Sequence, residues 1–285
     1  FIAFAVKLPM VPFHTWLPDA HTQAPTAGSV LLAGVLLKTG AYGLIRLVLP
    51  LFPNASLEFA AVAATLGVIS ILYGALMAYS QSDFKRLVAY SSISHMGFIL
   101  LAVFSWNSLA LNGAIVIMIA HGLSSAALFS MAGAIQFRLH SREFADMGGL
   151  WQSAPRLGVM MLIFMAAAVG LPGLANFVGE FMALMGSIAV FPIQTILATL
   201  GVIGSAIYGL HLFQSAFQGP SKTPIDDLSN KELGYAAVLV VGLLAIGLFP
   251  RPLLQITQTS IDEVVEARPV SLSVSGKMDE VRRDP

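Results

Sequence analysis

Cysteine is absent from the 285 residues. This excludes disulfides, thiolate metal sites and cysteine-held iron–sulfur clusters in this chain. Charge is scarce too. Asp, Glu, Lys and Arg make up 11% of the residues, against about 25% in soluble domains. The formal net charge is zero, so nothing points to nucleic acid or to a strongly charged partner. Glycine loops for nucleotides, metal-protease motifs and hydrolase elbows are missing from any credible context. What fills the chain instead is apolar: 56% of the residues, with a mean hydropathy of +0.80. The apolar runs are too long for a soluble core, so the chain reads as an all-α integral membrane protein.

The first residues, FIAFAV, begin inside an apolar run without a methionine. No charged region or cleavage site accompanies them, which excludes a signal peptide. Six residues cannot span about 30 Å of hydrocarbon at about 1.5 Å per residue. The chain is therefore expected to be a fragment whose first helix is cut. A crowded hinge follows, with Pro9, Pro12, Pro18 and Pro25. Residues 1–25 are read as this truncated broken helix and hinge, 26–254 as a membrane region, and 255–285 as a polar tail, extracytoplasmic and partly disordered.

Seven spans are predicted, at 26–49, 59–80, 84–104, 109–137, 156–188, 193–217 and 234–252. The fifth is too long for one straight helix and contains Gly170, Pro172 and Gly173. It reads as a broken helix with halves near 156–170 and 176–188. Lys85, Arg86, Arg138, Arg142, Arg156, Lys222 and Lys231 fall on one side of this topology, and Arg46 and Arg251 on the other. That bias places the first group in the cytoplasm.

Few charges fall inside spans. Lys38 stands about 18 Å from each end of its span, and a lysine at that depth costs about 3 kcal/mol or more. Glu180 lies in the second half of the broken helix, and Lys7 just before Pro9. His95 and His121 lie mid-span on successive helices. Ionisable groups at this depth face the interior or a water-filled cavity and suggest an ion or proton path. Each has a bland alternative: a paired structural lysine, a glutamate that braces the break, satisfied core histidines. His14, His21, His140 and His211 are loop or span-end residues without an assigned role. AVKLP at 5–9 echoes AVGLP at 168–172, each beside a proline break, as inverted repeats with discontinuous helices would be.

The stretches FAVKLPMVPFHTWLPDAHTQAPTAGSVLLAGVLLKTGAYG, SQSDFKRLVAYSSISHMGF, MIAHGLSSAALF and GLPGLANFVGEF resemble the antiporter-like subunits of respiratory NADH:quinone oxidoreductase (complex I), most closely the M-chain type. The similarity runs from Phe1 to about Leu254. It implies a multi-helix transmembrane bundle of the antiporter-like inverted-repeat type, of which the last seven helices are present. It implies that Lys7, Lys38, His95, His121 and Glu180 form a proton relay, and glutamate at 180 is what favours the M-chain type. It further implies no cofactor in this chain, with NAD, FMN, iron–sulfur clusters and quinone in partner subunits. The expected partners are the L- and N-type chains, the lipid bilayer, protons and water, in a bacterial inner membrane. Rival readings are a subunit of a multisubunit sodium/proton antiporter, the equivalent subunit of a membrane-bound hydrogenase or formate hydrogenlyase, and a passive scaffold.

Overall fold

A computed structural model describes residues 1–269. It is helical throughout, and the single antiparallel bridge among the described residues joins Asp83 to Glu143. In chain order the helices are α1 (Ile2–Lys7), α2 (Trp16–Gln23), α3 (Thr26–Leu51), α4 (Pro53–Tyr79), α5 (Phe84–Ser105) and α6 (Ser108–Leu139). They continue with α7 (Pro155–Ala168), α8 (Ala175–Ser187), α9 (Pro192–Phe217), α10 (Asn230–Leu248) and α11 (Arg251–Glu266). Six of them, α3 to α6, α9 and α10, are long and apolar enough to cross a membrane. The two halves α7 and α8 stand where the broken span was expected.

Local chemistry sets the ends. Pro53, Pro155 and Pro192 open their helices, where a missing N–H costs nothing. The Asp83 and Asn107 side chains accept from the Arg86 and Ala110 backbone amides and cap α5 and α6. Ser229 and Glu232 form a reciprocal capping box on α10.

Helix α5 is buried along its whole apolar length and forms the centre of the bundle, whereas α10 lies at its edge and buries fully only Ala236 and Leu243. Helices α4 and α6 flank α5, and α8 packs antiparallel along α6. The α6–α8 seam is backbone to backbone. A Cβ on Gly113 would lie 2.5 Å from the Ala183 nitrogen, and one on Gly179 would lie 2.7 Å from the Ile117 nitrogen. No side chain larger than hydrogen fits at such approaches.

Two stretches are more helical than their composition suggests. The hinge at 8–25 is more regular than its prolines suggest. Pro18 lies in the first turn of α2, where its lost N–H has no helical partner anyway. The tail beyond 255 is helical as far as Glu266. Its polar composition hid an amphipathic period: Leu254, Ile261, Val264 and Val265 share one face, of which Ile261 and Val264 are buried. The Trp106 indole donates to the Val264 carbonyl at 2.7 Å, and Arg46 lies 3.7 Å from Glu263. Residues 270–285 of the expected tail lie outside the described residues.

The loop charges give a labelling experiment. In an otherwise cysteine-free chain, a cysteine at Gln81 is expected to react with a membrane-impermeant maleimide only from the cytoplasmic side. A cysteine at Asn54, across α4, is expected to react only from the opposite side. Reaction of both from one side contradicts the span assignment, and the reversed pattern contradicts the orientation.

Candidate functional site

Lys38 is carried by a helix that is not uniformly α. Leu32–Leu36 and Leu44–Val48 are π turns on either side of it. Such turns widen the helix locally and recur at functional positions. The Lys38 ammonium donates to the Ala33 carbonyl inside the first π turn. Its other partner is His121 on α6, with Nζ 2.7 Å from Nδ1. Contact across two helices is possible because α3 and α6 meet at glycines: a Cβ on Gly122 would lie 2.9 Å from the Gly34 oxygen.

His95 on α5 makes the second contact. Its Nδ1 lies 2.8 Å from Glu180 Oε1, and its Nε2 lies 3.2 Å from the Tyr208 hydroxyl of α9. Both His95 and Glu180 are buried, at 2% and 4% exposure, so the pair is shielded from screening by solvent. Glu180 leans on the break between α7 and α8. Gly170 there has φ +78°, and a Cβ on it would come within 3.1 Å of Glu180 Oε2. The His95 and His121 rings stand 5.2 Å apart between centroids. Lys38, His121, His95 and Glu180 thus form one buried line running from α3 through α6 and α5 to α8.

Each contact in the line satisfies either of two proton placements. An ammonium donates to a neutral imidazole, or an imidazole N–H donates to a neutral amine. A carboxylate accepts from His95 whether that ring is neutral or cationic. Groups that can exchange a proton without moving are what a relay requires.

Lys7 stands apart from the line. It ends α1 and is half-buried, and no hydrogen bond or ion pair holds its side chain among the described residues. The end of α1 nevertheless presses on α3 close to Lys38, since a Cβ on Gly40 would lie 2.7 Å from the Leu8 nitrogen.

Two residues without a role in the sequence reading belong to this region. Tyr208 is one, as the hydroxyl on His95. A tyrosine in an apolar span ordinarily marks a membrane interface, so its depth carried no signal. His21 is the other. It is fully buried in α2 and stacked on Phe129 with ring centroids 4.3 Å apart, and neither ring nitrogen has a partner. Burial first, then the cations Lys85 and Lys38, push its pKa down to about 3, so it is neutral at physiological pH. Leu17 and His21 share a face of α2 at i, i+4, a spacing legible in the sequence once α2 is taken as a helix.

The backbone around His21 is pinned from three directions. Ser29 Oγ donates to the His21 carbonyl, Arg142 to that of Thr22 and Lys85 Nζ to that of Ala24. Arg142 is itself held by Asp83 at 3.2 Å. Positive groups at the carboxyl end of a helix complement its dipole. Among the described residues, no group of three His, Asp or Glu side chains is placed to hold a metal ion.

This architecture, broken helices around a buried line of titratable side chains, is that of the antiporter-like membrane subunits. Residues 1–207 match the family model described as NADH:quinone oxidoreductase/Mrp antiporter, transmembrane. The chain belongs to that family. Subunit M of NADH-quinone oxidoreductase from Pseudomonas aeruginosa is 52% identical over 275 residues, covering 96% of this chain and 54% of that protein. Subunit M from Escherichia coli strain K12 is 51% identical, covering 93% of this chain and 53% of that protein. The chain therefore spans about half the length of the curated relatives it matches. Among solved structures, a chain of respiratory complex I from Thermus thermophilus superposes with a TM-score of 0.91 at 35% identity, over 94% of this chain and 58% of that one. A chain of the Mrp complex from Dietzia shares the fold, with a TM-score of 0.86 at 20% identity over 94% of this chain and 60% of that one.

Proposed function

We propose that this chain is the proton-conducting half of an M-type subunit of NADH:quinone oxidoreductase. It works in a bacterial inner membrane beside L- and N-type chains. NAD, FMN, iron–sulfur clusters and quinone belong to other subunits, and this chain contributes a relay without covalent chemistry. The observation that carries the reading is the pair of direct contacts, Lys38 to His121 and His95 to Glu180, with the two imidazoles adjacent at 5.2 Å between centroids. Sequence identity near 50% to two subunits M favours this reading over a sodium/proton antiporter.

The relay works by charge coupling. At an effective dielectric of about 20, two unit charges about 5 Å apart interact by about 3 kcal/mol. That shifts a proton equilibrium about a hundredfold. A proton that reaches His121 therefore discourages one from remaining on Lys38, and a charge at His95 is drawn to Glu180. Lys7 and His21 lie near the Lys38 end of this line but outside its contacts.

The test uses the intact complex in proteoliposomes. His121→Ala is expected to lower proton translocation per NADH oxidised, while NADH oxidation by an artificial electron acceptor stays at the wild-type rate. Normal translocation by a fully assembled His121→Ala complex removes the reading.

A further inference from the structure

The line of four residues has an unexplained neighbour, Asn176. It lies in the first turn of α8 at 1% exposure, yet only one end of its amide is bonded. Its Nδ2 donates to Ser124 Oγ at 3.2 Å, while its Oδ1 is buried without a partner. His121 carries a second orphan, Nε2, also buried without a partner. Buried polar atoms in native proteins nearly always find a partner, and one left alone is destabilising.

Helix register brings the two orphans together. The seam pairs Ala110 with Gly186, Gly113 with Ala183 and Ile117 with Gly179. The same antiparallel register, continued by one turn, sets His121 against Ala175 and Asn176. Side-chain contacts close the circle. Asn176 touches Ser124, one turn past His121, and Glu180 sits one turn past Asn176 on the same face. Glu180 holds His95, and His95 faces His121. The register and these contacts place the two orphan atoms in one buried neighbourhood, among Ser124, Asn176, Glu180, His95 and His121.

Their chemistry is complementary to water. With Nδ1 accepting from Lys38, the His121 tautomer carries its hydrogen on Nε2 and needs an acceptor there. The Asn176 oxygen needs a donor. A single water molecule supplies both, and a polar pocket with two to four partners is what retains one. A flip of the amide exchanges which of its atoms meets the water and keeps the site.

We propose that Asn176 is a positioning residue that holds one water molecule against His121 Nε2, between the Lys38–His121 contact and the His95–Glu180 contact. The water accepts from the His121 N–H and donates to Asn176. It gives a proton leaving His121 a step towards the Glu180 carboxylate, since both His95 ring nitrogens are already engaged by Glu180 and Tyr208. The proton-carrying part of this inference rests on the relay reading above; the water site does not.

Two variants in the intact complex separate a water-holding role from a packing role. Asn176→Leu keeps the branching at Cγ, fills the space with methyl groups and removes the polar atoms. Asn176→Ala removes the amide but leaves room for additional water. Water holding predicts that Asn176→Leu assembles and loses proton translocation several-fold, with Asn176→Ala closer to wild type. Packing predicts the reverse order, with Asn176→Ala the more harmful in both assembly and translocation, and that order overturns the proposal. A cryo-EM map of the wild-type complex at a resolution that shows ordered waters gives an independent readout. Density bonded to Asn176 and within hydrogen-bonding distance of His121 Nε2 is expected, and its absence overturns the proposal even if neither variant assembles. If the density is present while Lys38→Ala translocates normally, the water site stands and the relay reading fails.

Discussion

Lys38→Ala is expected to reduce proton translocation by the intact complex at least about tenfold, since a positioned proton-transfer group is worth about 10²–10⁴ in rate. The substitution removes the amine between the Ala33 carbonyl and His121 Nδ1 and so disconnects the line at its α3 end. The cost to the fold is smaller. Two buried acceptors lose one donor, at about 1–3 kcal/mol each, in a bundle whose centre at α5 is untouched. Assembly should survive, as judged by native gel and by NADH oxidation with an artificial acceptor. Lys38→Arg makes the comparison sharp. Arginine keeps the charge and can donate to both partners, but it does not give up its proton in proteins. Translocation is therefore expected to remain low with arginine in place. Near wild-type translocation by Lys38→Arg would identify Lys38 as a fixed positive charge and remove it from the relay.

Glu180→Gln is expected to have the second largest effect. Glutamine has the same shape and can still meet His95 Nδ1, now 2.8 Å from the carboxylate. It cannot accept a proton, and it offers His95 no negative charge to stabilise an imidazolium. Translocation should fall by about tenfold or more, within the range that general acid–base groups supply. Glu180→Asp should fall less, because it titrates but is one methylene too short for the His95 contact. The alternative assigns Glu180 to bracing the break, where Gly170 leaves it room. A brace needs a hydrogen-bonding shape and no titration, so under that alternative Glu180→Gln pumps like wild type. Proton-to-electron ratios of the three forms, measured in vesicles, decide between the two.

Much of this site was legible because a charge within an apolar run is a one-dimensional signal. Lys38, His95, His121 and Glu180 stand out in the sequence for that reason, and so does the break at Gly170 and Pro172. Their pairing was not legible. It depends on which helix faces cross, and those crossings follow from glycine contacts such as Gly34 with Gly122. The same one-dimensional signal selected Lys7, which the structure leaves off the line. His21 was hidden by Pro18, because a proline reads as a break unless the helix start is known. Tyr208 and Asn176 were hidden because neither is charged. Helix α11 was hidden by composition, since its polar face outweighs the apolar one when the two are averaged. The π turns around Lys38 have no sequence signature that distinguishes them from ordinary helix.

The glycine-lined seam between α6 and α8 also limits how this site can move. Half-helix α8 is held at both ends. From Gly179 to Gly186 it is clamped to α6 at separations that leave no slack for sliding. Beside the unwound segment from Val169 to Leu174 it is held again, since a Cβ on Gly247 of α10 would run into the Gly173 oxygen and lie 2.6 Å from the Leu174 Cα. Asn176, between the two, is tied to α6 through Ser124. A displacement that enters at the break is therefore shared at once with α10 and α6, and Glu180 moves only if that whole block of helices moves. On the relay reading, α8 is a rigid shelf, and the give in the line belongs to the π turns on either side of Lys38.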